Sequence, residues 1–443
     1  MSANPVTIDL PSNAFSDAPH VHLNLNARSL SKSATLAINE RSNQLSSAGH
    51  KLYRLGLGQS PFPVPDIVVQ ELKNNAHQKD YLPVQGLPAL RQAVSEYCAR
   101  KYNVDADADS ILIGPGSKEL LFILQLVYYG ELVIPSPSWV AYTPQAQIIG
   151  RQIRWISTRK ENNWLLMPEE LERLCREDPH RPRLLILNYP SNPTGATYSA
   201  SQLQELAMVA KRYKVILLSD EIYGELEFDG NHCSIANYYP EGTIISGGLS
   251  KWCGAGGWRL GAFVFPQSLQ WLMDSMAVVA SETFTSTSAP IQYAAVRAFT
   301  GGDEIEQYLV QSRRIVSTLG LHITKVLRTA GMDVTQPMGG FYLFPDFSSW
   351  QEKLAKHRIY TSPALCETLL QETGVAILPG TEFGRPATEL TARLAYVDFD
   401  GAKALRAAEW YCENDELDPY FLESYCGNVM EGINRLCGWF AVE

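Results

Sequence analysis

From residue 111 to 265 the chain repeats one pattern, a short apolar run followed by a longer amphipathic segment. The runs are Ile111–Ile113, Leu132–Ile134, Ile153–Ile156, Leu184–Leu187, Val215–Leu218, Thr243–Ile245 and Leu260–Phe265. Helical stretches between them include Lys118–Tyr129, Pro168–Glu177 and Ser201–Tyr213. Strands that are apolar on both faces must be covered on both, and alternating helices supply the cover. The pattern predicts an α/β fold with a mostly parallel seven-stranded sheet. Ligands of such sheets bind beyond the carboxyl ends of the strands. Residues just after the apolar runs are therefore the candidates for chemistry.

The rest of the chain reads differently. At 443 residues it exceeds the size at which one core stops growing, which predicts two domains. Residues 66–103 read as two helices divided by a turn, with Leu87, Leu90, Val94 and Tyr97 at helical spacing and Pro88 in a first turn. Residues 270–330 read as helical, with Ile315–Val326 the candidate for a long helix joining the domains. Beyond 331, strand-like runs (Gly340–Phe344, Val375–Leu378, Arg393–Phe399) alternate with helices, as in a smaller α+β domain. Upstream, a helix is expected over Ser33–Ser47, with Leu36, Ile38 and Leu45 on its apolar face. A strand in 51–65 then breaks at Gly56, Gly58 and three prolines. The expected boundaries are an N-terminal arm at 1–30, a large domain at 66–315, and a small domain from 31–65 and 316–443. The acidic segment Glu409–Asp418 reads as a solvated helix or loop.

A net charge of −10 and a pI near 5.4 argue against a nucleic-acid partner. No apolar run approaches the ~18 residues of a membrane span, and no basic, then apolar leader opens the chain, so the cytoplasm is expected. The eight cysteines show no CxxC spacing and read as free or buried thiols of a reducing compartment. The histidines form no HxxxH or HExxH pair, so no metal site is expected.

Candidate chemistry follows the apolar runs. In ILIGPGSKELL, a strand leads through a glycine turn into a helix whose first amides, at Gly116, Ser117 and Lys118, can cradle a phosphate. It lacks the closing GKS or GKT of a Walker loop, and Glu119 replaces the third glycine of a dinucleotide fingerprint. Trp139 stands past the next run, where an aromatic ring can stack on a planar ligand or simply be core. Asn192 in NPTG offers an amide, though the tetrapeptide is also good turn chemistry. Asp220 ends a wholly apolar strand, where a carboxylate is costly unless paired. A protonated ring nitrogen is a suitable partner, and capping a helix is the competing role. Tyr223 follows three residues on. In SGGLSKWCGAGGWRLG, Lys251 and Arg259 lie past a β-branched run. A desolvated lysine near another cation shifts toward the neutral amine, which forms Schiff bases with aldehydes, and a guanidinium binds phosphate through two hydrogen bonds. Late in the chain, Arg393 suits a carboxylate.

Taken in order, these motifs resemble the class I/II aminotransferases of pyridoxal 5′-phosphate (PLP) fold type I, over about Leu55–Tyr396. NPTG, SDEIY and SKxxxxxGWRLG carry the resemblance. It implies that Lys251 bears the PLP and shuttles the substrate proton, and that Asp220 keeps the pyridine nitrogen protonated. It implies that Asn192 and Tyr223 hold the ring oxygen and Trp139 stacks on the ring. Arg259, Gly116, Ser117, Lys118 and Ser250 would surround the phosphate, and Gly58 and Arg393 would receive the substrate carboxylate. Tyr81, in YxxxxGxxxLR, would reach the phosphate of a neighbouring subunit, implying a homodimer with shared sites. One departure is Gly248, where many relatives carry a phosphate-binding Ser or Thr; Ser246 or Ser250 stands nearby. The activity implied is ping-pong transfer of an α-amino group from an amino acid to a 2-oxo acid. The same residues also serve PLP-dependent lyases and synthases.

Overall fold

The computed structural model describes residues 24–28, 30, 34–411 and 417–441. Most of the N-terminal arm and the middle of the acidic segment lie outside these residues. Among the described residues twelve strands run, in chain order, as β1 (Tyr53–Arg54), β2 (Ile111–Gly114), β3 (Glu131–Ser136), β4 (Ile153–Ser157), β5 (Arg183–Asn188), β6 (Ile216–Asp220), β7 (Thr243–Gly248), β8 (Gly261–Val264), β9 (Tyr342–Leu343), β10 (Val375–Ala376), β11 (Leu378–Pro379) and β12 (Ala392–Ala395).

Seven of them form one sheet in the order β2-β8-β7-β6-β5-β3-β4. All its pairings are parallel except those of β8, which runs antiparallel to both β2 and β7. The expected mostly parallel seven-stranded sheet is what forms. Its two-sided burial follows the period of two along each strand. Leu184 and Ile186 of β5 face one apolar cluster with Leu120 and Leu124, while Leu185 and Leu187 face another with Leu203 and Leu206. The edge strand β4 is more open, with Arg154, Trp155 and Ser157 exposed, which is why Arg154 can interrupt its run.

Two further sheets are small. β1 pairs parallel with β10, and β11-β12-β9 form an antiparallel trio. The helix expected at Ile315–Val326 is longer, running Asp303–Thr329. Asp303, Glu304 and Glu306 fill its first turn, where negative charge meets the helix dipole. It packs on the helices Gly401–Ala408 and Gly427–Ala441 and on β9. The helix near the N-terminus spans Ala34–Ser47, with Ile38 half-buried against Gly56 and the Phe344–Phe383 cluster.

Candidate active site

β2, β3, β5, β6 and β7 all end at one side of the sheet, and there a cavity of about 430 Å³ opens. Its wall holds Gly58, Ser117, Lys118, Trp139, Asn192, Asp220, Tyr223, Ser250, Lys251 and Arg259, but not Gly116, Arg393 or Tyr81. A larger, open depression of about 750 Å³ lies around Tyr129 and Arg151 and contains none of them.

Lys251 stands three residues past β7. Its Nζ donates to the Gly58 carbonyl at 2.7 Å and lies 5.5 Å from the ring centre of Tyr223 and 5.8 Å from that of Phe341. One carbonyl and two aromatic rings thus border the amine on its protein side. Asp220, 3% exposed at the end of β6, accepts from the Tyr142 hydroxyl at 2.7 Å and the Ser246 hydroxyl at 3.3 Å. Burial pushes its carboxyl up to about 6, and those two hydrogen bonds pull the other way. Both side-chain donors are neutral, so a cation brought against this carboxylate would gain a partner without displacing one.

At the other end of the cavity, β2 runs through the Gly114–Gly116 turn into the helix Ser117–Val127. Arg259, in the left-handed conformation at φ 57°, donates from Nη1 to the Gly256 carbonyl at 2.8 Å and from Nη2 to Pro115 at 3.2 Å. A Cβ on Gly116 would stand 2.3 Å from Arg259 Nη2, and one on Gly261 would stand 2.2 Å from the Ser117 nitrogen. The two glycines thus let the guanidinium and the positive helix terminus converge on one spot, which suits a phosphate. Ser250 lines this cavity, whereas the Ser246 hydroxyl is turned to Asp220. A side chain at Gly248 would meet the Leu260 carbonyl at 2.7 Å, so no hydroxyl can replace it without backbone movement.

Arg393 is 2% exposed, not the surface strand residue that its position allows. Its Nη1 donates to Asn192 Oδ1 at 3.0 Å, and Nη2 donates to the Gly56 carbonyl at 2.6 Å. Its guanidinium packs over the rings of Tyr342 and Phe383, while its Nε has no protein partner. Burial lowers its proton affinity. Asn188 braces the NPTG loop: Oδ1 accepts from the Asn192 backbone N–H at 2.8 Å, and Nδ2 donates to the Asp220 carbonyl at 2.8 Å. The Tyr223 and Tyr342 hydroxyls share a 2.7 Å hydrogen bond. Asn192 and Tyr223, expected to meet at one ring oxygen, thus border the same cavity while each is bound to a protein neighbour. Tyr81 is 89% exposed and outside the cavity.

Three residues of this arrangement escape the sequence reading. Tyr142 sits one helical turn after Trp139 and could have been reached by that spacing. Asn188 directly ends β5, as Asp220 ends β6. Tyr342 lies in a run that reads as core strand, and it is indeed 1% exposed.

Comparison with known proteins agrees with this geometry. The family model "Aminotransferase class I and II" matches residues 50–406. The chain is 33% identical over 378 residues to an aspartate aminotransferase of Geobacillus stearothermophilus, covering 83% of this chain and 92% of that one. It is 30% identical to an asparagine–oxo-acid transaminase of Streptococcus mutans, with the same coverage. The aspartate aminotransferase of Thermus thermophilus solved with maleate superposes with a TM-score of 0.80 at 26% identity, over 95% of this chain and 100% of that one. With a lysine at the sheet's carboxyl edge, a buried carboxylate across the cavity and a match across most of its length, the chain belongs to the class I and II aminotransferases and has their fold type I architecture.

Proposed function

We propose that this aminotransferase holds PLP in the 430 Å³ cavity and takes a dicarboxylic amino acid as its amino donor. The observation that carries the reading is that Lys251 and Asp220 face one cavity, with an anion cradle at Arg259 and Ser117 and a buried carboxylate receptor at Arg393. The residues fit the cofactor: an amine for its aldehyde, a cradle kept open by Gly116 for its phosphate, a carboxylate lacking a cation for its ring nitrogen, and Trp139 to stack on its ring.

When bound, PLP supplies an aldehyde that joins an amine and a ring that takes up the electron pair released at the substrate α-carbon. The chain's residues do the rest. Asp220 keeps a proton on the ring nitrogen. Tyr223 and Asn192 hold the ring oxygen, and Arg259, Ser250 and the first amides of Ser117–Val127 hold the phosphate. Arg393 receives the α-carboxylate beside Gly58, which orients the α-hydrogen toward Lys251, and the Lys251 amine carries that proton. Lys118 lines the cavity and sits 5.9 Å from the ring centre of Trp139 with no ion-pair partner among the described residues, so it is available for a second carboxylate. That favours the aspartate-type donors for which the relatives are named.

The same reading divides the chain into a large domain at 66–315 and a small one from 31–65 and 316–443, which the pairing of β1 with β10 supports. Tyr81, exposed and outside the cavity of its own chain, supports a homodimer with shared sites. The free thiols at the described cysteines support the cytoplasm, and among the described residues no helix is long and apolar enough to cross a membrane.

The test is an absorbance spectrum of the purified protein with PLP, repeated after adding a panel of amino acids. A visible band that aspartate bleaches, with the amino group recovered in a 2-oxo acid, supports the reading. Bleaching by monocarboxylic donors alone overturns the substrate class. Release of pyruvate or another elimination product without amino transfer points to a lyase.

A further inference from the structure

Resting on the PLP reading above, we propose that Tyr342 is a positioning residue that links the carboxylate receptor Arg393 to the ring-oxygen ligand Tyr223. Its hydroxyl lies 2.7 Å from that of Tyr223 and 3.4 Å from the Gly58 carbonyl, and its ring lies under the Arg393 guanidinium at 4.8 Å. The Gly58 carbonyl also accepts from Lys251 at 2.7 Å. One side chain therefore touches the groups assigned to the substrate carboxylate and to the cofactor oxygen, and shares an acceptor with the reactive amine.

The contact is built into the chain. A Cβ at Gly58 would stand 2.0 Å from the Tyr342 hydroxyl, so the glycine is what admits that hydroxyl. The ring is 1% exposed and rests against Phe341 and Tyr223, which leaves the hydroxyl hydrogen as its main freedom. That hydrogen has two uses. With Tyr223 donating to Tyr342, Tyr342 donates to Gly58. With Tyr223 donating to a ring oxygen in the cavity, Tyr342 turns and donates to Tyr223. The second arrangement makes Tyr223 a stronger donor, because hydrogen bonds in a chain polarise one another. A carboxylate docking on Arg393 presses on the same ring from the other side. The charged and titratable groups around this unit are Arg393, Lys251, Tyr223 and Asp220. With Tyr223 donating to Tyr342, burial and Tyr342 both raise the proton affinity of Tyr223, and Arg393 and Asp220 act on it in opposite directions.

The experiment follows the visible absorbance of the PLP-loaded protein against pH, alone and with succinate, a dicarboxylate that has no amino group. Tyr342→Phe removes only the hydroxyl. Its pH midpoint is expected to rise by about half to one pH unit, because Tyr223 loses the bond that strengthens it. The response to succinate is expected to fall below half of the wild-type response. Combined with Tyr223→Phe, the substitution is expected to add nothing further. Gly58→Ala pushes the same hydroxyl away without touching Tyr223, and is expected to move the midpoint in the same direction. Wild-type midpoints and succinate responses in Tyr342→Phe and Gly58→Ala would overturn the proposal, even if turnover fell, since that pattern is mere packing. A wild-type protein that gives no band with PLP overturns the cofactor reading and this inference with it; a normal wild-type band unmoved by the variants overturns this inference alone.

Discussion

Tyr142 donates a 2.7 Å hydrogen bond to the Asp220 carboxylate, and its ring meets Trp139 edge-on at 5.3 Å. The carboxylate and the indole proposed to meet the cofactor thereby share a single phenol as neighbour. Even so, Asp220 is held at about 6, well above the 3.8 of an exposed aspartate. Between those values the folded protein binds more protons than the unfolded chain, so stability falls as pH rises from about 4 to about 6 and stays lower above. Asp220→Asn removes that loss. Free of PLP, the variant is expected to exceed wild type by on the order of 2–3 kcal/mol at about pH 7.5, with the difference vanishing toward pH 4. Thermal melts over that pH range check it, and parallel curves would refute it. With PLP the order should reverse, because the ring nitrogen gives the carboxylate its missing cation.

Lys251→Ala is expected to abolish the visible band and to lower amino transfer by roughly 10³-fold or more, since it removes both the covalent anchor and the proton carrier. Added methylamine should restore part of the second role. A variant retaining the band would place the reactive amine elsewhere.

Arg393→Lys keeps the charge and loses the planar fork. Losing one charge-assisted hydrogen bond costs about 1.5–3 kcal/mol, so kcat/KM should fall about 10- to 100-fold. The fall should appear for every carboxylate substrate, because the α-carboxylate is common to all. An effect confined to dicarboxylates would contradict the assignment.

Lys118→Met should show the opposite selectivity. Aspartate and glutamate are expected to lose about 10-fold or more in kcat/KM, while alanine or phenylalanine loses little. Steady-state kinetics on the four donors separates the cases. A uniform loss would mean that Lys118 serves the phosphate instead.

Much of this architecture is legible in the sequence, because the physics that makes it is local. A strand covered on both faces needs a continuous apolar run, and β2, β3, β5, β6 and β7 each have one. The residues after those runs then have nowhere to go but the shared edge. What is not legible depends on contacts between distant segments. Arg393 is legible as a candidate carboxylate ligand, but its burial and its anchoring by Asn192 and Gly56 are not. Tyr342 reads as core because it is core; its function lies in one oxygen, and no periodicity distinguishes a buried phenylalanine from a buried tyrosine. The departure at Gly248 is legible as a residue but not as a cause. Only the packed strands show that the Leu260 carbonyl takes up the space a side chain would need.

The Arg393–Gly56 hydrogen bond joins residues 337 positions apart, and β1 pairs with β10, more than 300 residues on. While the chain is being made on the ribosome, the strands from β2 to β8 emerge and can fold first. Lys251, Asp220 and the proposed phosphate cradle are therefore synthesised well before Arg393. A nascent chain can thus carry the groups proposed to grip the cofactor, and Lys118 with them, while it still lacks the arginine proposed to hold the carboxylate that every substrate shares.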